Sequence, residues 1–167
     1  AVRPMDTAIR SRTNSSPSVK SWRGCFAVGA PNFSMTSNFY DLGVHPDLVR
    51  AITELDFVEP TPIQEKAIPV LLEGRDVMGQ AQTGTGKTAA FALPILQRLN
   101  YDLNAVQALI LTPTRELAKQ VADAVYSYGH HVGARILPIY GGQSYDRQKR
   151  RLKKGADIVV STPGRTI

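Results

Sequence analysis

Residues 81–88, AQTGTGKT, have the types and the spacing to hold a chain of phosphates. Gly84 and Gly86 let the backbone turn tightly and aim its N–H groups inward at phosphate oxygens. Lys87 brings a cation that can reach the β- and γ-phosphates, and Thr88 a hydroxyl that can ligate Mg2+. The run fits G-x-x-x-x-G-K-[ST] at every fixed position but the first, where Ala81 replaces glycine. Lys87 and Thr88 are thus the candidate catalytic pair. Thr83, Gly84, Thr85 and Gly86 join them as candidate nucleotide contacts. The plain alternative is a glycine-rich turn that happens to precede Lys and Thr; a strand before it and a helix after it separate the two readings.

Both flanks are present. DVMGQ is a short strand candidate leading into the loop, and GKTAAFALPILQRL is a helix leaving it, with a kink expected at Pro94. That helix aims its positive end at the same spot. Upstream, HPDLVRAITEL has apolar residues at helical spacing with Pro46 in the first turn. TPIQEKAIPVLLEG opens with a Thr61 cap and Pro62 and closes at Gly74. Downstream, AVQALILT, ARILPIY and ADIVVS read as strands, separated by the helices TRELAKQVADAVYSY and QSYDRQKRRLKK. Near-continuous apolar strands suit a sheet covered on both faces, and their alternation with helices predicts an α/β fold with a parallel sheet.

The totals limit the function classes. At 167 residues, 43% hydrophobic and 20% charged, the chain can build one soluble domain with a real core. A lone cysteine, Cys25, rules out an internal disulfide framework, so an intracellular and most simply cytoplasmic location is expected. No apolar run approaches the roughly 20 residues of a membrane span. The net charge of +6 is uneven: residues 1–34 hold Arg3, Arg10, Arg12, Lys20 and Arg23 against Asp6, giving +4. The remaining 15 basic and 13 acidic residues give +2, so nucleic-acid contact in the body must come from local placement. Residues 1–34 read as a disordered leader, as an Arg- and Ser-rich organellar transit segment, or as sequence upstream of a start at Met35.

FVEPTPIQ, alone, reads as a capping box, with Thr61 as cap and Gln64 three residues on. Together with AQTGTGKT, PTRELAKQ, GG and TPGR, in this order, it resembles the DEAD-box RNA helicase family from about Phe39 to Arg165. The resemblance implies that residues 35–167 are a partial first RecA-like P-loop NTPase domain, carrying the Q motif, Walker A, Ia, GG and Ib segments. It implies ATP and Mg2+ as cofactors, with Gln64 reading the adenine edge and Phe39 packing on the base. An amide suits that reading because it donates and accepts together. The family usually has Gly just before the aromatic of this motif, where this chain has Asp56.

The resemblance also implies RNA contacts at Pro113, Thr114 and Arg115, at Gly141 and Gly142, and at Thr162, Gly164 and Arg165. A helix N-terminus with Thr114 and Arg115 is physically suited to a phosphate backbone, and such loops gather at the carboxyl ends of parallel strands. In the family an Asp-Glu-Ala-Asp segment and a second RecA-like domain follow; neither occurs in these residues. The chain is therefore expected to be an amino-terminal fragment, cut before the Asp-Glu-Ala-Asp strand and not hydrolytic alone. The parent would clamp single-stranded RNA and unwind short duplexes by local bending.

The rival of another class is a non-enzymatic module or regulatory truncation that binds nucleotide or RNA. A GTPase or DNA helicase is disfavoured by Gln64 and by the lack of an Asn-Lys-x-Asp guanine reader. The basic run from Arg147 to Lys154 is expected to be a solvated helix face. His130 and His131 have no partner at metal-ligand spacing in the sequence and are assigned no role.

Overall fold

A computed structural model describes residues 9–12 and 38–166. Two helices precede the phosphate loop. Helix α1 spans Pro46–Thr53 and α2 spans Pro62–Leu72, each with proline in its first turn. Helix α2 ends at Gly74, whose φ of +80° suits glycine; Arg75 N–H donates to the Val70 carbonyl across that end. Helix α1 ends the same way at Asp56, the one described non-glycine residue with positive φ, at +61°.

Three parallel strands, β3 (Ala108–Leu111), β4 (Ile136–Ile139) and β5 (Ile158–Ser161), form a sheet in the order β3-β5-β4. Ile158 aligns with both Ala108 and Ile136, and Ser161 with both Leu111 and Ile139. All four residues of the central β5 are buried, as a run of Ile-Val-Val-Ser between two neighbours requires. The edge strand β3 departs from the expected two-sided burial: Ala108 and Ile110 pack against the core, while Leu109 and Leu111 are half exposed among the described residues.

Helices α3 (Lys87–Arg98) and α4 (Arg115–Tyr128) meet in the main core, with Leu93 and Leu96 from one and Ala118 and Val125 from the other fully buried beside Ile158 and Val160. Helix α3 continues through Pro94, whose missing N–H leaves the Ala90 carbonyl without its usual donor. Helix α5 (Tyr145–Lys153) buries only Gln148, so its basic side chains are solvated as expected. Helix α6 (Pro163–Thr166) is one turn where a loop was expected.

The phosphate-loop strand β2 (Asp76–Gly79) is not in the parallel sheet. It pairs antiparallel with β1 (Ile9–Arg12), Ile9 opposite Gly79 and Arg12 opposite Asp76. The ladder of β2 is thus separate from the parallel sheet, and residues 9–12 of the segment read as a disordered leader form a strand. The physical reason is the open edge of β2, whose backbone groups need partners. The readings of a transit segment or a start at Met35 lie outside the described residues. No helix among the described residues is long and apolar enough to cross a membrane.

Candidate nucleotide site and nucleic-acid interface

The nucleotide candidates come together where β2 runs into α3. Gly84 and Gly86 both take φ +83°, a conformation that a side chain disfavours. Nothing lies within 4 Å of the place a Gly84 Cβ would occupy, so the tip of the loop is open. Gly86 is the cap of α3, and Lys87 and Thr88 begin the helix. The orphan N–H groups of that first turn and the positive end of a 12-residue helix face the loop. Thr85 Oγ1 donates to the Gln82 carbonyl at 2.8 Å, and Thr83 is exposed. The Lys87 ammonium is bonded within its own loop, donating to the Ala81 carbonyl and to the Gln82 carbonyl at 2.7 Å. These donors and hydroxyls fit a magnesium-bound triphosphate.

Gln64 stands directly on this loop. Its side chain is fully buried, with Oε1 accepting from Thr61 N–H at 2.8 Å and Nε2 donating to the Gly86 carbonyl at 3.1 Å. Thr61 Oγ1 donates to the Thr85 carbonyl at 2.9 Å. The start of α2 is thereby stitched to the phosphate loop through one amide and one hydroxyl. The capping interaction and the loop contact are made by the same residue, so the two readings of Gln64 are not exclusive. The amide keeps a second lone pair and a second N–H.

Phe39 behaves otherwise. It is 2% exposed, with its ring centroid 6.5 Å from that of Phe57, which packs edge-on against Tyr128 at 5.8 Å. The ring expected to pack on the base thus lies in the core, beside Phe57.

The three remaining motif segments converge at the carboxyl ends of β3, β4 and β5. Pro113 and Thr114 follow β3; Thr114 Oγ1 caps α4 by accepting from Leu117 N–H at 3.2 Å. The Arg115 guanidinium lies along Gly141 and Gly142, which follow β4, so closely that a Cβ on Gly142 would stand 2.5 Å from Nη1. Thr162, Gly164 and Arg165 follow β5. Thr162 N–H donates to the Ile139 carbonyl at 3.2 Å, and Arg165 Nη2 donates to the Gln143 carbonyl at 2.6 Å. Gly164 is open to solvent. The side chains of Arg115 and Arg165 thus both bear on the 141–143 loop. Arg165 Nε is buried without a hydrogen-bond partner among the described residues.

Sequence reasoning passed over two residues in this place. Tyr145 is 59% exposed, with the Arg165 guanidinium 5.8 Å and the Lys149 ammonium 5.9 Å from its ring centre. Gln148 anchors α5 by donating from Nε2 to the Tyr140 carbonyl at 2.9 Å. An aromatic inside a basic run was the available signal for the first. Nothing in the sequence pointed to the second.

A firm ion pair supports the other end of the sheet. Asp157 Oδ2 accepts from Arg135 Nε at 3.0 Å and from its backbone N–H at 2.8 Å, while Oδ1 accepts from Nη2 at 2.5 Å. These bonds hold the Asp157 carboxyl below the usual carboxylate range.

Comparison with known proteins places this arrangement. The DEAD/DEAH box helicase family matches residues 61–167. The chain is 53% identical over 132 residues to the ATP-dependent RNA helicase DeaD of Buchnera aphidicola subsp. Acyrthosiphon pisum, a match covering 78% of this chain and 22% of that protein. It therefore spans about a fifth of that relative's length. Among solved structures, a DEAD box protein from the hyperthermophile Methanococcus jannaschii is 44% identical, with a TM-score of 0.70 over 77% of this chain and 35% of its own. Dbp5 from S. cerevisiae, bound to RNA and ADP BeF3, is 34% identical with a TM-score of 0.67, over 78% of this chain and 33% of its own. The fold is RecA-like.

Proposed function

Because the chain belongs to the DEAD/DEAH box helicase family, we propose that it is the ATP- and RNA-binding part of an ATP-dependent RNA helicase. The observation that carries this reading is Gln64 seated on the phosphate loop, with its amide on the Gly86 carbonyl. A group that both donates and accepts, fixed at that loop, can tie recognition of adenine to the grip on phosphate.

Lys87, released from the Ala81 and Gln82 carbonyls, turns to the β- and γ-phosphates. The α3 N-terminus would lend its free N–H groups to the phosphates, and the Thr88 hydroxyl would hold Mg2+, which neutralises their charge. Gln64 checks the adenine edge with its remaining lone pair and N–H. Bound ATP supplies a γ-phosphoryl group whose loss can reset the affinity for RNA. No Asp-Glu-Ala-Asp run stands among the 167 residues. Hydrolysis needs such carboxylates to hold the metal and orient water. These residues by themselves therefore bind nucleotide without turning it over. RNA-stimulated phosphate release by the purified chain, abolished by Lys87→Ala, would overturn that statement.

Pro113, Thr114 and Arg115, with Gly141, Gly142, Thr162, Gly164 and Arg165, form the RNA surface. Their backbone amides and guanidinium groups suit sugar and phosphate, so sequence preference is weak. A second RecA-like domain supplies the rest of the RNA cleft, and clamping between the two bends the strand and opens short duplexes. A single cysteine suits work in a reducing compartment inside the cell. Fluorescence anisotropy with a single-stranded RNA tests the surface. Binding that falls steeply with salt and differs little between oligo-U and a mixed sequence is expected. Strong preference for one sequence, or binding unaffected by salt, would contradict it.

A further inference from the structure

Outside the nucleotide and RNA surfaces, two adjacent histidines and a glutamate from a distant part of the chain meet in space. Glu54 caps the C-terminus of α1, and His130 and His131 lie in the 3-10 turn that follows α4. Helix α4 leaves the carboxyl end of β3 and returns to the amino end of β4. The trio therefore sits at the end of the parallel sheet opposite the Arg115 and Arg165 cluster. It plays no part in the proposed nucleotide or RNA chemistry.

Its ligand atoms are close enough to share one ion once the stacked imidazoles of His130 and His131, 3.7 Å between ring centres, turn apart. His131 Nε2 lies 3.0 Å from both Glu54 carboxylate oxygens, and His130 Nε2 lies 3.6 Å from Glu54 Oε2. One ligand atom from each residue lies within 4.8 Å of the others. A tetrahedral zinc site with bonds of about 2.0–2.1 Å has ligand–ligand edges of roughly 3.3 Å. The observed separations of 3.0 and 3.6 Å bracket that edge. The second observation concerns the other ring nitrogen of His130: Nδ1 lies 3.0 Å from the Ser127 carbonyl. A carbonyl only accepts, so this bond puts a proton on Nδ1; in the neutral ring the lone pair is then on Nε2, the nitrogen nearer Glu54. Metal-ligating histidines are held in this way, by a carbonyl on the far side of the ring.

We propose that Glu54, His130 and His131 form a Zn2+ site, with three protein ligands and a fourth position open to water. Two imidazoles and a carboxylate select a first-row transition ion over Mg2+ or Ca2+, which prefer oxygen ligands throughout. The trio is open enough for an ion to enter, with the Glu54 side chain 47% and the His130 side chain 41% exposed. Only Arg50 competes among the described cations, its Nε 3.4 Å from Glu54 Oε1, and its side chain is 68% exposed and free to swing away. Bound zinc would add a tie between the end of α1 and the turn after α4, beside the packing of Phe57 on Tyr128.

The test is a Zn2+ titration of the full chain, free of any histidine tag, in competition with a chromophoric chelator. One Zn2+ per chain is expected. Glu54→Gln and His130→Ala should each weaken binding by about tenfold or more, while His45→Ala leaves it unchanged. Circular dichroism checks that each variant is folded. The unaltered chain gives a second readout: addition of Co2+ should shift the ring resonances of His130 and His131, and not that of His45. No stoichiometric binding, equal affinity in the variants, or undisturbed His130 and His131 resonances would reduce the trio to an ion pair and overturn the proposal.

Discussion

Gln64 Nε2 donates to the Gly86 carbonyl at 3.1 Å, and a Cβ added to Gly86 would stand only 2.4 Å from that nitrogen. The amide and the glycine therefore specify each other. Gly86→Ala would place a methyl on a residue at φ +83° and against a fully buried side chain. A loss of about 3 kcal/mol of folding stability is expected, from left-handed strain together with overpacking. Urea unfolding measures it; an unchanged midpoint would mean that Gln64 is not fixed on the loop.

The opposite substitution is informative at Asp56. This residue adopts φ +61° at the end of α1. Asp56→Gly should raise stability by about 0.5–1 kcal/mol, since the left-handed conformation costs an L-residue energy that glycine does not bear. Thermal unfolding would show a higher midpoint. A lower one would mean that the aspartate side chain contributes something its exposed position does not reveal.

Arg115 lies along Gly141 and Gly142 at the proposed RNA surface. Arg115→Ala should weaken RNA binding about equally for all sequences, and reduce the slope of log affinity against log salt by about 1. Anisotropy titrations at several salt concentrations provide that slope. An unchanged slope would remove Arg115 from the phosphate contacts.

Asp157 provides the pH dependence. Arg135 lowers its carboxyl pKa from the ordinary 3.8. Its contribution to stability is thus fully present above that unfolded value and is lost as pH falls through the lower folded value. Asp157→Asn should cost about 2 kcal/mol at neutral pH, the worth of a charge-assisted bond, and should flatten the acid limb of the stability profile. An acid limb identical to that of the unaltered chain would contradict this.

Much of the arrangement was readable in the residues because it depends on short-range rules. Thr61 and Pro62 start α2, Gly74 ends it, and the glycines at 84 and 86 bend the loop, all through local backbone preference. The apolar runs at 108–111, 136–139 and 158–161 declared three strands, and their alternation with helices declared them parallel. What could not be read depends on the third dimension. An aromatic at position 39 looks the same in the sequence whether or not Phe57 lies against it, and only the fold shows that it does. The partner of β2 is set by whichever edge is near, not by the residues DVMG. Glu54 is 76 positions before His130, so the spacing of their ligand atoms exists only in the fold.

The central claim is that one site couples the triphosphate grip of Lys87 to the base-reading amide of Gln64. Calorimetric titration of the full chain with Mg2+-ATP and Mg2+-GTP, repeated on Lys87→Ala, tests it most directly. Saturable heat with ATP is predicted, about tenfold or more weaker affinity for GTP, and no detectable heat with either nucleotide once Lys87 is removed. Equal affinity for the two bases, or ATP binding that survives Lys87→Ala, would contradict the account.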